Sequence, residues 1–146
     1  MSLDIRKIEA SDFTAWQELW RSYLEFYEAS VTEDVYQRTF NRLIDSERPQ
    51  QNGLIALQDN QAIGLVHFIY HPHNWRIEDV CYLQDLYATP SVRGTGVGRA
   101  LIEAVYTEAD MNGTPTVYWN TQEFNETARK LYDRIANVTP FIKYQR

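Results

Sequence analysis

Cysteine is almost absent: Cys81 is the only one in 146 residues, so no intramolecular disulfide is possible and a reducing, cytoplasmic setting is expected. No run of 18 apolar residues occurs, so neither a membrane-spanning helix nor a membrane partner is expected. The opening stretch, MSLDIRKIEASD, carries acids where a secretory signal needs an apolar core. Lysine and arginine form no run. Fourteen of them stand against 20 Asp and Glu, a net charge of −6, which argues against a nucleic-acid partner. An acidic surface attracts cations such as amines or basic peptide tails, and it also keeps a protein in solution. Repeats, low-complexity tracts and evident linkers are missing too. SERPQQNG (46–53) is the most loop-like stretch and reads as a connection. What remains is 44% apolar and 23% charged, which suits one domain spanning 1–146 with a real core.

Periodicity divides the chain into elements. Leu3 to Ile8 alternates as a strand, and Ser11 or Asp12 then caps a helix. Trp16, Leu19, Trp20, Tyr23, Leu24 and Tyr27 recur at the spacing of one buried helix face. Thr32 caps a second helix with Tyr36, Phe40, Leu43 and Ile44 inward. Strands follow at 53–58 and 62–70, joined by a tight hairpin at DNQ, and a long strand at 76–88. A helix over 97–111 carries Leu101, Ile102, Val105 and Tyr106 inward and stops near Gly113. TVYWN (116–120) is a strand, 125–136 a short helix burying Ala128, Leu131, Tyr132 and Ile135, and VTPFIKYQ a last strand at an edge or bulge, because of Pro140. The order β-α-α-β-β-β-α-β-α-β predicts an α/β (α+β) mixed sheet with helices on both faces.

Glycine is scarce, with 6 in the chain, yet three of them fall at 94, 96 and 98, between a strand-like and a helix-like run. The start of a helix carries unpaired N–H groups and the positive end of its dipole. Glycines let a ligand approach that backbone closely, and Arg93 and Arg99 add forked donors suited to phosphate. The stretch therefore reads as a phosphate cradle. It is not the dinucleotide fingerprint, because Arg99 stands where the third glycine belongs. It is not a nucleoside-triphosphate loop, because no Gly-Lys-Ser/Thr ends it.

The run Arg93-Gly94-Thr95-Gly96-Val97-Gly98 resembles the Arg/Gln-x-x-Gly-x-Gly/Ala loop of the GCN5-related N-acetyltransferases, the GNAT family. Leu83-Gln84-Asp85-Leu86-Tyr87-Ala88 looks like the family's central strand, and Asn125-x-x-Ala128-x-x-Leu131-Tyr132 is similar to its second motif. Spacing and element order agree along nearly the whole chain. VYWNTQEFNETARKLYDRIA and FIKYQR are most similar to the yeast histone/polyamine acetyltransferase-like group and to small bacterial acetyltransferases. The resemblance implies the acyl-CoA N-acyltransferase fold and acetyl-CoA as co-substrate. Its pyrophosphate would lie on the amides of Gly94, Thr95, Gly96, Val97, Gly98 and Arg99, and its pantetheine arm along Leu86, Tyr87 and Ala88. It implies direct attack of an amine on the thioester, with Tyr132 as general acid. Asn125 either caps the last helix or bonds the pantetheine arm.

The general base stays open at this point. Some relatives use a Glu where this chain has Gln84, which takes no proton. Asp85 is the neighbouring carboxylate, but alternation puts it on the opposite face from Gln84. Glu78, Asp79 or Glu123 through water, or the neutral fraction of the amine, are alternatives. Tyr27, Glu28, Glu33 and Asp34 form either an acceptor rim with Gln84 or a solvated helix end, and Trp75 is a further candidate wall. His71-Pro72-His73, with His67 nearby, lacks further ligands in order, so no metal is expected; Cys81 reads as packed. The expected activity is N-acetylation of a small primary amine, of polyamine or amino acid type, by a homodimer. Protein or histone-lysine acetylation and noncatalytic acetyl-CoA sensing are the rivals.

Overall fold

The computed structural model describes residues 2–146. In chain order the elements are β1 (Leu3–Lys7), a 3-10 turn (Ala10–Asp12), α1 (Phe13–Phe26), α2 (Glu33–Ile44), β2 (Gln51–Gln58), β3 (Gln61–His71), β4 (Val80–Ala88), a second 3-10 turn (Pro90–Val92), α3 (Val97–Met111), β5 (Val117–Tyr118) and α4 (Glu126–Ile135). The strands form one mixed sheet in sequence order. β1 to β4 pair antiparallel, and β5 adds to β4 in parallel. Asp59 and Asn60 take positive φ (51° and 64°), the geometry a two-residue hairpin turn requires, and so fold β3 back on β2.

The two sheet faces bury different helices. On one, Leu54, Val66, Phe68, Cys81 and Leu83 pack against Leu101, Ile102 and Val105 of α3. On the other, Ile55, Leu65 and Tyr87 pack under Trp16, Trp20, Tyr36 and Phe40 of α1 and α2. Trp16 is fully buried, stacks on Trp20 at 5.3 Å and meets Phe40 at 5.1 Å. The helical spacing read from the sequence is thus the spacing of this aromatic wall.

Neither expected residue caps α1. Asp12 instead holds both guanidinium branches of Arg6 on β1, at 2.8 and 3.0 Å, and accepts the Glu9 N–H at 2.7 Å. That fork pins the start of α1 to the first strand. The hydrogen bond from Arg6 draws the Asp12 pKa below its usual value, against burial.

The expected strand at 76–88 begins only at Val80. Strands need partners, and β3 reaches no further than the His71–Val80 pair before Pro72; Trp75 and Ile77 beyond it are exposed. The strand at 116–120 shrinks to Val117–Tyr118. The last expected strand, VTPFIKYQ, does not form. Its Val138, Phe141, Ile142 and Tyr144 are 75–89% exposed, since two-residue β5 offers no edge to pair with and Pro140 has no N–H.

Replacing Asp12 with Asn should cost roughly 1–3 kcal/mol, the range for a charge-assisted hydrogen bond. The folded carboxylate titrates below its unfolded value, so its contribution is complete at neutral pH and disappears as pH falls below about 4. Urea titrations of Asp12→Asn and the parent protein should therefore converge in acid. A gap independent of pH would contradict the assignment.

Candidate active site

The ladder between β3 and β4 carries an irregularity at its centre. Phe68 faces Leu83 and His67 faces Asp85, leaving Gln84 without a partner. One extra residue in a strand bends it and reverses which side chains face which way. Before the bulge, Cys81 and Leu83 face α3; after it, Leu86 and Ala88 do, while Tyr87 packs with α1 and α2. Asp85 therefore does not lie opposite Gln84, as alternation alone predicts. Both border one pocket of about 240 Å³ on the α1/α2 side.

Asp85 is held there by a relay through the core. The Trp16 indole N–H donates to His67 Nε2 at 2.9 Å, and His67 Nδ1 meets Asp85 Oδ2 at 2.8 Å. An indole nitrogen only donates, so Nε2 is the acceptor and the imidazole proton sits on Nδ1, aimed at the carboxylate. Both ring nitrogens of His67 are thereby engaged, and the ring orients Asp85. Tyr23 faces the same group: burial first, then the charge of Asp85 and a hydrogen bond to it, raise the phenol well above the usual tyrosine range. Asp85 is thus the one carboxylate among the described residues that borders the pocket.

The same strand has an open edge. β5 pairs with β4 only at Cys81–Val117 and Tyr82–Tyr118. Beyond Tyr82 the side of β4 away from β3 has no strand partner, so the main-chain groups from Leu83 to Tyr87 that point away from β3 are available to a ligand. The chain then reaches α3. Gly94 and Gly96 have φ of 81° and 95°, a region that costs an L side chain strain, and nothing crowds the space where a Cβ would stand. Gly96 occupies the N-cap position without any side-chain cap. The first α3 backbone bond runs from Ala100 N–H to the Gly96 carbonyl, so the Val97, Gly98 and Arg99 N–H groups precede it. An open edge leading into uncapped amides fits a long ligand with a diphosphate, as coenzyme A is.

The two arginines are less free than their positions suggest. Arg93 Nε donates to the Ala88 carbonyl at 3.1 Å, and its guanidinium lies over Tyr87 and Phe26, at 5.5 and 5.9 Å from the ring centres. It braces the loop against β4. Arg99 pairs with Glu103 at 2.7 Å, an exposed contact that a phosphate can displace. Thr95 turns its hydroxyl to the Val92 carbonyl.

Tyr132 lies half-buried on α4, edge-on to Trp119 at 5.4 Å. Burial, then the nearby Tyr27, raises its pKa, so it keeps its proton at neutral pH. Tyr27 in turn is raised by burial and then by the charge of Asp85. Asn125 is a cap: its Oδ1 accepts the Ala128 N–H at 3.4 Å. Tyr27, Glu28, Glu33 and Asp34 do not border the Asp85 pocket, so the expected acidic rim is not brought together around it. Glu28 adopts φ 55° where α1 ends, and Glu33 accepts from Gln17 at 2.9 Å on an exposed surface. Asp34 borders a larger, open groove of about 560 Å³ along the outside of α2, which includes no residue of β4 or α3. Glu78 pairs with Arg76 and Glu123 is exposed; neither these nor Asp79 and Trp75 border the Asp85 pocket. Among the described residues no three His, Cys, Asp or Glu groups converge as metal ligands.

A bulged mixed sheet, an open strand edge and an uncapped glycine-rich helix start together define an α/β enzyme of the acyl-CoA N-acyltransferase fold. The chain belongs to the GNAT acetyltransferase family, whose family model, "Acetyltransferase (GNAT) family", matches residues 15–136. It is 39% identical over 143 residues to the D-amino-acid N-acetyltransferase HPA3 of Saccharomyces cerevisiae, covering 97% of this chain and 89% of that one. It is 28% identical over 94 residues to the thialysine N-epsilon-acetyltransferase of Caenorhabditis elegans, covering 64% of this chain and 58% of that one. Among solved structures it superposes on a ribosomal-protein-alanine N-acetyltransferase from Brucella melitensis with a TM-score of 0.83 at 23% identity, covering 100% and 99% of the two chains. It also matches AAC(6')-Iy holding the bisubstrate analogue CoA-S-monomethyl-acetylneamine, with a TM-score of 0.87 at 20% identity over 100% and 98% of the two chains.

The Gly96→Glu variant should fold yet lose acetyl-CoA binding, because a carboxylate would stand over the amides of α3. Calorimetric titration alongside a thermal melt checks this. Normal affinity in a folded variant would move the diphosphate elsewhere.

Proposed function

We propose that the chain, residues 1–146, works as one N-acetyltransferase domain that moves the acetyl group of acetyl-CoA to a primary amine of a small molecule. The observation that carries the reading is the bulge at Gln84, which sets the Asp85 carboxylate beside the strand edge that would receive the donor. When bound, acetyl-CoA supplies an activated acetyl group as a thioester. Leu86, Tyr87 and Ala88 would pair with its pantetheine arm, and the amides from Gly94 to Arg99 would hold its diphosphate. A backbone N–H near Leu86 would stabilise the oxygen that gains charge.

Asp85 would draw the ammonium into the pocket and take its proton, freeing the nitrogen lone pair for attack on the acetyl carbon. As the new C–N bond forms and the C–S bond breaks, Tyr132 Oη would give its proton to sulfur and recover one from solvent. Gln84 and Tyr27 would line the acceptor's path, with Glu28 and Glu33 further out as an acidic approach. A pocket of about 240 Å³ has the volume of roughly eight waters, suited to a metabolite rather than to a peptide crossing the site. The amino acid activity named for the yeast relative points the same way.

The exposed apolar tail supports a homodimer, in which a second copy covers Val138, Phe141, Ile142 and Tyr144. A reducing cytoplasm suits Cys81, whose buried thiol is pushed up to about 12 and so stays inert.

Purified protein should release coenzyme A thiol from acetyl-CoA when given small amines, and Tyr132→Phe should cut turnover by about tenfold to a few thousandfold at similar donor affinity. Undiminished turnover would remove Tyr132 from the acid role; donor binding with no release for any amine would favour a sensor. Light scattering should find a dimer for the full chain and a monomer for a chain ending at Asn137. A dimer that survives the truncation would locate the interface elsewhere.

A further inference from the structure

We infer that Arg42, in the wall of the pocket beside Asp85, anchors the carboxylate of the acceptor, so that the acceptor is a free amino acid rather than a diamine or plain alkyl amine. The inference rests on the acetyltransferase reading and names the substrate class of that same site.

The pocket beside Asp85 has a second, oppositely charged wall. Arg42 and Thr39, three residues apart on α2, flank the buried stripe of Tyr36, Phe40 and Leu43 and border the pocket. Arg42 is half-buried, and among the described residues no carboxylate comes within ion-pair distance of it. Its position also borders the outer groove, where Asp34 and Asp45 lie, yet it pairs with neither.

A guanidinium donates and does not accept, so Arg42, without a carboxylate partner of its own, calls for an anion. Across the pocket, Asp85 calls for a cation. α2 packs over β2, and Asp85 stands two strands away on β4. A small molecule carrying an ammonium and a carboxylate satisfies both walls at once. A diamine would bring its second ammonium against Arg42, and an alkyl amine would leave Arg42 unpaired.

The test compares alanine and leucine, in D and L forms, with their amides, with the decarboxylated amines and with 1,4-diaminobutane, in thiol-release assays of the parent, Arg42→Gln and Arg42→Lys proteins. The parent should favour the acids over the amides by at least tenfold in kcat/KM. Arg42→Gln should erase most of that preference through KM rather than kcat, and Arg42→Lys should restore part of it. Amides used as well as acids by the parent, or a diamine as best acceptor, would overturn the assignment even if Arg42→Gln does not fold. Calorimetry of amino acids with protein saturated in coenzyme A separates this inference from the one beneath it. Amino acid binding lost in Arg42→Gln, without any turnover, would keep the anchor and overturn acetyl transfer. Turnover of amines indifferent to a carboxylate would overturn the anchor alone.

Discussion

The β3–β4 ladder holds one residue more on β4 than it can pair, and the site depends on that misfit. With Gln84 unpaired, the strand changes phase, so that Asp85 joins His67 and Tyr87 on the α1/α2 side instead of facing α3. The far edge of β4, beyond Tyr82, is unpaired along the same stretch. A carboxylate and a row of available main-chain groups thereby meet at one point of the sheet. Asp85 cannot turn away, because His67 Nδ1–H holds it from below and Trp16 fixes the imidazole in turn.

Charge is divided accordingly. The chain is acidic overall, with a net charge of −6, which favours the approach of an ammonium and opposes that of a diphosphate. The start of α3 counters this locally. Its amides are uncapped, its glycines allow close approach, and Arg93 is braced beside it on Ala88. On the proposed reading, donor and acceptor would arrive at separate places of opposite sign and meet at the bulge. Tyr132 would add, from α4, a phenol whose pKa burial raises.

Much of this is written locally in the sequence. Trp16, Trp20, Tyr36 and Phe40 stand at helical spacing because one helix face must be buried, and they are buried. Gly94 and Gly96 announce a backbone that other residues adopt only under strain, and both have positive φ. What escaped the sequence reading depends on pairing across the chain. The phase change of β4 was visible, since apolar residues stand at odd positions 81 and 83 and then at even positions 86 and 88, but simple alternation passes over it. His67 looked like a stray histidine, because its partners lie 51 residues before it and 18 after it. Arg42 cannot be told from an ordinary helix residue until α2 is packed over the sheet. The tail misled for the reverse reason: FIKYQ has the composition of a strand, but the β5 it would extend is only two residues long.

The most direct measurement is a crystal structure of the protein with coenzyme A. The account predicts the diphosphate within hydrogen-bonding distance of the Val97, Gly98 and Arg99 amides, the pantetheine arm along β4 from Leu86 to Ala88, and the thiol beside the bulge. A diphosphate seated elsewhere, or a β5 that pairs along the length of β4 and closes its edge, would contradict it.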